Sequence, residues 1–477
     1  MNQTKRIRDA SSLLPSDSNL RSILRYAWPI LVNNLATIGV TTADTIMAGR
    51  LGANDLAAVA VGASYAMVVY IAGLGLLMAL SPLVAHAYGA GEDLRAGALL
   101  RQGIWLAAMF ALLALLPFLG NAPVLERIGI EPRIRELAGG YLRMLALGLP
   151  ALFAYLALRF SAEGLGRTRP IMYAALVTLV LNIFGNYVLM YGKFGAPAMG
   201  ALGCGLASAL SQWLVFLGMW FYLRRAAMFA PYRLLERFEL PRRRELLEIL
   251  RLGLPIAGSL LAEGALFSAA ALLVGTLGAR QMSGHAIAIN FASIMFMVPL
   301  AVHSATTIHV GHRAGRGEWL AAAEAGWSGI RLCVALMAAS AVVLTLWRYP
   351  IAALYSDDAE VVALAAQLLL LAAVFQIVDG AQVGAAGALR GFRDARIPML
   401  INVISYWLIG FPCAWLAGIH FGHGPRGVWW GLIAGLAVCA LLLLLRYRRV
   451  AAGVRATPEA QPDRGVSSSS YQASQEK

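Results

Sequence analysis

The sequence predicts an all-α polytopic membrane protein, with twelve transmembrane helices in two pseudo-symmetric six-helix lobes and both termini cytoplasmic. Three observations carry this expectation. The 477-residue chain is 59% hydrophobic and only 13% charged, whereas the water-exposed surface of a soluble protein must be largely polar. Mean hydropathy is +0.68, and apolar stretches long enough to cross a hydrocarbon core about 30 Å thick recur from end to end. The chain also matches itself at an offset of 226 residues, where "WPILVNNLA" from Trp28 lies over "LPIAGSLLA" from Leu254.

The spans fall at 22–48, 57–86, 99–120, 138–158, 170–192, 200–223, 252–277, 284–310, 326–347, 362–388, 398–419 and 427–445. The first is too long for a signal peptide and no small-residue cleavage site follows it. With the N-terminus inside, most arginines sort to one face, and the sixth-to-seventh connection alone carries Arg224, Arg225, Arg233, Arg237, Arg242, Arg243, Arg244 and Arg251. That is the positive-inside pattern, so the net charge of +14 is expected to set topology rather than to bind nucleic acid.

The self-match runs on without a gap: "GRLGA" (Gly49–Ala53) falls on "GTLGA" (Gly275–Ala279), and "HAYGAGE" (His86–Glu92) on "HRAGRGE" (His312–Glu318). One inserted residue later, "GRTRPIM" from Gly166 lies over "RDARIPM" from Arg393. Six spans per copy is an even number, which gives a parallel repeat about an axis along the membrane normal. The expected organisation is an N-terminal cytoplasmic segment 1–21, an N-lobe 22–223, a basic linker 224–250, a C-lobe 251–447 and a Ser-rich, disordered tail 448–477.

Several chemistries are missing. There is no GxxxxGK[ST] among three lysines (Lys5, Lys193, Lys477), and no HExxH or GxSxG, so neither an ATPase nor a common hydrolase is expected. Cys204, Cys333, Cys413 and Cys439 lie scattered inside spans, as small apolar residues and not as ligands. His309 and His312 close a span as interfacial residues without a third ligand.

What remains is a short set of acids inside spans: Asp44, Glu263 and Asp379. Each costs roughly 2.5–3.5 kcal/mol to insert unless paired, protonated or hydrated, so function is the default reading. Glu263 lies twelve residues after Arg251 and Asp379 eleven before Arg390, depths of about 18 and 16 Å from one edge. Two such acids on neighbouring helices share a proton or bind a small cation. Asn182 and Asn186, one turn apart, reach a similar depth in the first half and with Asp44 are expected to form a polar pocket. Glu163 is expected to pair with basic neighbours at the cytoplasmic edge, and "SDDAE" (Ser356–Glu360) to be solvated outer surface.

At these residues the chain resembles the multidrug and toxic compound extrusion (MATE) family, in its bacterial NorM branch. The resemblance rests on "ADTIMAGRLG", "LNIFGNYVLMYGKFGAP", "LPIAGSLLAEGALF", "VDGAQVGAAGALRGFRDARIPM" and "ISYWLIGFP", which occur in order across both halves. It implies two lobes that alternate access and export cationic, amphiphilic drugs and dyes in exchange for inward Na⁺ or H⁺, with no enzymatic cofactor. By position, Glu263 and Asp379 match the C-lobe cation-site acids, and Asp44, Asn182 and Asn186 the N-lobe polar site. Where relatives with a described Na⁺ site carry tyrosine, four residues before Asp379, this chain has Phe375, which offers no oxygen and shifts the expectation toward protons. The protein is expected to act as a monomer in the lipid of a bacterial inner membrane. The competing expectations are a lipid-linked precursor flippase, which needs a cation-lined cavity, and a non-transporting scaffold, which needs no buried acids.

Overall fold

The computed structural model describes residues 17–234 and 239–456. Most of the expected N-terminal segment and the expected tail from residue 457 lie outside the described residues. Among the described residues all regular structure is helical. The first half comprises α1 (Asp17–Leu51), α2 (Ala53–Leu77), α3 (Leu80–Gly89), α4 (Asp93–Leu119), α5 (Ala122–Arg127), α6 (Pro132–Ala146), α7 (Leu149–Gly164), α8 (Arg169–Leu189) and α9 (Ala201–Arg225). The second comprises α10 (Arg243–Gly275), α11 (Ala279–Gly315), α12 (Trp319–Ala353), α13 (Ala359–Gly391), α14 (Arg396–Val403), α15 (Phe411–Trp415) and α16 (Gly424–Ala456). Two π-helical stretches, Ile404–Gly410 and Leu416–His420, merge α14 and α15 into one span.

Among the described residues ten helices are long and apolar enough to cross a membrane, or eleven when α6 and α7, bent by 51°, count as one. Asn33, Asn34, Thr41, Thr42 and Asp44 make α1 less apolar, but its 35 residues are ample for a crossing. With α1 included, the helices match the expected spans one for one. Boundaries differ at the ends: α16 runs to Ala456, past the expected start of the tail at 448, and α10 begins at Arg243 inside the expected linker. Both extensions are arginine-rich turns that continue a helix beyond its apolar stretch, where positive charge meets solvent.

The sequence repeat is a structural repeat. Ala53 opens α2 and Ala279 opens α11; Gly89 closes α3 and Gly315 closes α11, each pair 226 residues apart. Gly52 (φ 146°) and Gly278 (φ 114°) precede the two openings with backbone that L side chains rarely adopt. Gly166 (φ 71°) has Arg393 (φ 63°) as its counterpart in the second half. A left-handed arginine costs about 1–2 kcal/mol, and here its guanidinium is engaged by Glu248 on α10.

Each half has its own apolar core, one centred on Leu80, Phe153 and Leu156 and the other on Leu368, Trp429 and Leu443. The lobes meet at the arginine-rich end. There Ile23, Ala27 and Ile30 of α1 pack on Ala301, Ala305 and Ile308 of α11. The counterpart crossing sets Gly75 of α2 against the backbone of Ala257 and Gly253 of α10 against Leu76. Nearest the end, α3 and α11 touch backbone to backbone: a Cβ on Gly89 would clash with the His312 carbonyl and stand 3.0 Å from Gly315 Cα. The reverse holds for Gly315 against His86 and Gly89.

The flanking histidines cross the same junction. His86 Nε2 lies 2.7 Å from the Gly391 carbonyl, and His312 Nε2 2.7 Å from the Gly164 carbonyl, so each ring donates to the opposite lobe. His309 adds a third bridge, Nε2 to Asn19 Oδ1 at 3.0 Å. His309 and His312, expected to be interfacial, thus belong with His86 to a seam between lobes.

Because the seam depends on absent side chains, Gly89→Ala and Gly315→Ala are each expected to destabilise by about 1–3 kcal/mol. The readout is a lower thermal unfolding midpoint in detergent. Gly218→Ala, where an added Cβ meets open space, leaves it unchanged.

Candidate functional site

Helix α13 is the centre of the second lobe, packed by α11, α12 and α16. Its inward face carries Gln376, Asp379 and Gln382 at a spacing of three, which stacks them along one side. Asp379 is 3% exposed and has no hydrogen bond among the described residues. Glu263, partly exposed on α10, is also without a hydrogen bond, and the two carboxyls lie within electrostatic reach of each other. Helices α10 and α13 do not pack broadly on one another; the π-helical stretch Ile404–Gly410 and α16 bridge them. Trp407 in that stretch donates from Nε1 to the Ala262 carbonyl at 3.2 Å, anchoring it beside Glu263.

The π-helical stretch also supplies Ser405 and Tyr406, both fully buried. Gln382 donates from Nε2 to the Tyr406 hydroxyl. Gln382 Oε1, Ser405 Oγ and Gln376 Nε2 are buried without partners. Buried polar atoms without partners are costly, and these three sit on α13 and the π-helical stretch, the elements that carry Asp379 and adjoin Glu263. Arg390, one helix end away on α13, is within electrostatic reach of Glu263. Phe375 lies one turn before Asp379, its ring 6.0 Å from Phe267 and 5.9 Å from Trp429, in edge-to-face packing. It closes the wall with carbon. No group of three or more His, Cys, Asp or Glu able to hold a metal ion occurs among the described residues.

The first lobe holds a different arrangement. Asp44 on α1 accepts from Asn186 Nδ2 at 2.5 Å, and that amide also reaches Asn182 Oδ1 at 3.3 Å. Asn182 in turn donates to Ser208 Oγ of α9 at 3.0 Å. The Cys204 thiol also lies against Asp44. These dipoles offset part of the cost of burying the carboxylate and do not cancel it. Asn186 Oδ1 remains without a partner. The structure therefore brings Asp44, Asn182 and Asn186 together, and Glu263 and Asp379 together, in two separate clusters.

Sequence reasoning passed over Gln376, Gln382, Ser405, Tyr406 and Ser208, and read Cys204, which lies against Asp44, only as a small apolar residue. The two glutamines had a usable signal, being the polar residues that flank Asp379 at three-residue spacing in an otherwise apolar helix. Glu163, next to the last residue of α7, pairs as expected with a basic neighbour, Arg159 at 2.9 Å, and the pair is buried between helices, 2% and 12% exposed. The outer "SDDAE" segment has a structural role too, since Asp358 caps α13 by accepting from Glu360 N at 2.9 Å.

The family model MatE matches residues 29–188 and 255–416, one stretch in each lobe. The multidrug resistance protein PmpM of Pseudomonas aeruginosa is 40% identical over 440 residues, covering 91% of this chain and 92% of that protein. The multidrug resistance protein MdtK of Yersinia pseudotuberculosis is 39% identical over 433 residues, covering 90% and 95%. Among solved structures, the eukaryotic MATE transporter AtDTX14 superposes with a TM-score of 0.82 at 22% identity, covering 92% of this chain and 98% of that one. An outward-facing multidrug resistance MATE transporter of the MOP superfamily gives 0.84 at 21% identity, covering 95% and 100%. With a two-lobed bundle, a matching stretch in each lobe and relatives alike over nearly their whole length, this chain is a multi-pass membrane transporter of the MATE family.

Proposed function

We propose that the protein is an antiporter that exports cationic, amphiphilic drugs and dyes while Na⁺ or H⁺ moves inward through the second lobe. It does so as a monomer of a bacterial inner membrane, with the arginine-rich end and both termini in the cytoplasm. The observation that carries the reading is the pair Glu263 and Asp379: two carboxyls in electrostatic reach, neither hydrogen-bonded among the described residues. Two acids that close to one another cannot both stay charged in a dry site, so one positive partner is always favoured. A proton, a sodium ion or a drug cation each meets that demand, and exclusive occupancy by one of them is the thermodynamic basis of exchange.

Phe375 weighs toward protons. A dehydrated Na⁺ needs several oxygen ligands, and this wall position contributes a ring held by Phe267 and Trp429. A proton needs only one carboxyl oxygen. Asp44, tied to Asn186 in the first lobe, contributes with Asn182 and Asn186 a second polar site for ligand or proton handling, apart from the exchanging pair.

The acidic interior also separates this reading from a flippase. A cavity lined by arginines does exist, but Asp44, Glu263 and Asp379 are not among its lining residues, and it sits at the arginine-rich end.

Asp379→Asn is expected to reduce ethidium efflux from intact cells at least tenfold with unchanged expression; wild-type efflux overturns the assignment. In proteoliposomes, an imposed pH gradient drives drug efflux and a Na⁺ gradient alone does not. Efflux driven by Na⁺ without a pH gradient reverses the choice of ion. Asp44→Asn is expected to retain part of the efflux, because an amide of the same shape keeps the Asn186 contact; complete loss assigns Asp44 to the exchange itself.

A further inference from the structure

A cavity of about 1180 Å³ lies at the arginine-rich end, between the starts of α4, α10 and α14. Its wall comes from both lobes: Arg95 and Arg101 on one side, Arg251, Arg393 and Arg396 on the other. The acids in this wall are already spent. Glu239 pairs with Arg101 at 2.8 Å, and Glu245 with Arg242 at 3.8 Å. Glu248 takes Arg95 at 3.3 Å together with Arg393, bridging the lobes, and Asp394 takes Arg446 at 2.8 Å.

Three arginines of the wall, Arg244, Arg251 and Arg396, enter no ion pair or hydrogen bond among the described residues. Arg244 and Arg251 are seven residues apart on α10, hence on one face. Arg396 opens α14, which packs along α10. Charge that only sets insertion needs no convergence; here it converges on a space with an apolar side formed by Leu83, Leu99, Leu252 and Ile397.

We propose that this cavity binds an anionic phospholipid, with the headgroup phosphate held by Arg244, Arg251 and Arg396 and an acyl chain along the leucine wall. Guanidinium forks match phosphate oxygens in pairs, and basic pockets at the cytoplasmic membrane edge meet a leaflet rich in anionic lipid. Because both lobes contribute wall, an occupant bound by both favours the state in which this end is closed. The lipid is then a conformational effector of this end of the bundle.

The test uses the purified full-length protein in detergent, followed by its thermal unfolding midpoint. Added phosphatidylglycerol is expected to raise the midpoint by several degrees, and an equal amount of phosphatidylcholine to leave it unchanged. The variant Arg244→Gln/Arg251→Gln/Arg396→Gln loses the shift, and the corresponding triple Lys variant keeps most of it. A control that removes the same charge at the opposite end, Arg50→Gln/Arg127→Gln/Arg348→Gln, keeps it in full. An equal response to phosphatidylcholine, or an undiminished shift in the Gln variant, overturns the proposal. Inorganic phosphate that reproduces the full shift overturns the lipid as occupant. Should the Gln variant not fold, native mass spectrometry of the wild-type protein decides: preferential retention of phosphatidylglycerol over phosphatidylcholine supports the site, and equal retention overturns it.

Discussion

The architecture depends on a contact that almost no side chain makes. At Gly89 and Gly315 two helices from opposite lobes approach until each added Cβ would strike the other's backbone. That approach brings His86 and His312 within reach of carbonyls across the junction. It also draws α1 against α11 and α2 against α10 along the halves nearest the arginine-rich end of the bundle.

The two clusters differ in how their acids are held. In the first lobe Asp44 accepts from Asn186, and Asn182 and Ser208 extend the network. In the second lobe Glu263 and Asp379 have no hydrogen bond among the described residues, and Gln376, Gln382 and Ser405 leave polar atoms unpaired. Equivalent lobes of a repeat have thus diverged into one acid tied into a network and two acids without partners of their own.

Much of this was legible from residue order. The long apolar stretches located the helices, and the shared register of "GRLGA" and "GTLGA" or "HAYGAGE" and "HRAGRGE" located the repeat, because glycines with positive φ tolerate few substitutes. The buried acids stood out because charge in oil is rare. What residue order left open is which face of a helix is covered. Glu163 pairs near its helix end with Arg159 as expected, and only the fold shows that both are buried between helices. Tyr406 and Ser405 were hidden because no residue pattern announces a π-helical stretch, and that stretch is what rotates them toward Glu263 and Asp379. The arginines of the linker were explained by topology alone until the fold closed them around a cavity.

The acceptors chosen by His86 and His312 have an evolutionary consequence. Both rings bind main-chain carbonyls, at Gly391 and Gly164. A carbonyl is common to every residue, but these two belong to positions where no side chain fits: a Cβ on Gly391 would stand 2.6 Å from Val310 Cβ, and one on Gly164 2.6 Å from the Ser81 carbonyl. Each link therefore holds two positions at once, an imidazole on one helix and a bare glycine on the other.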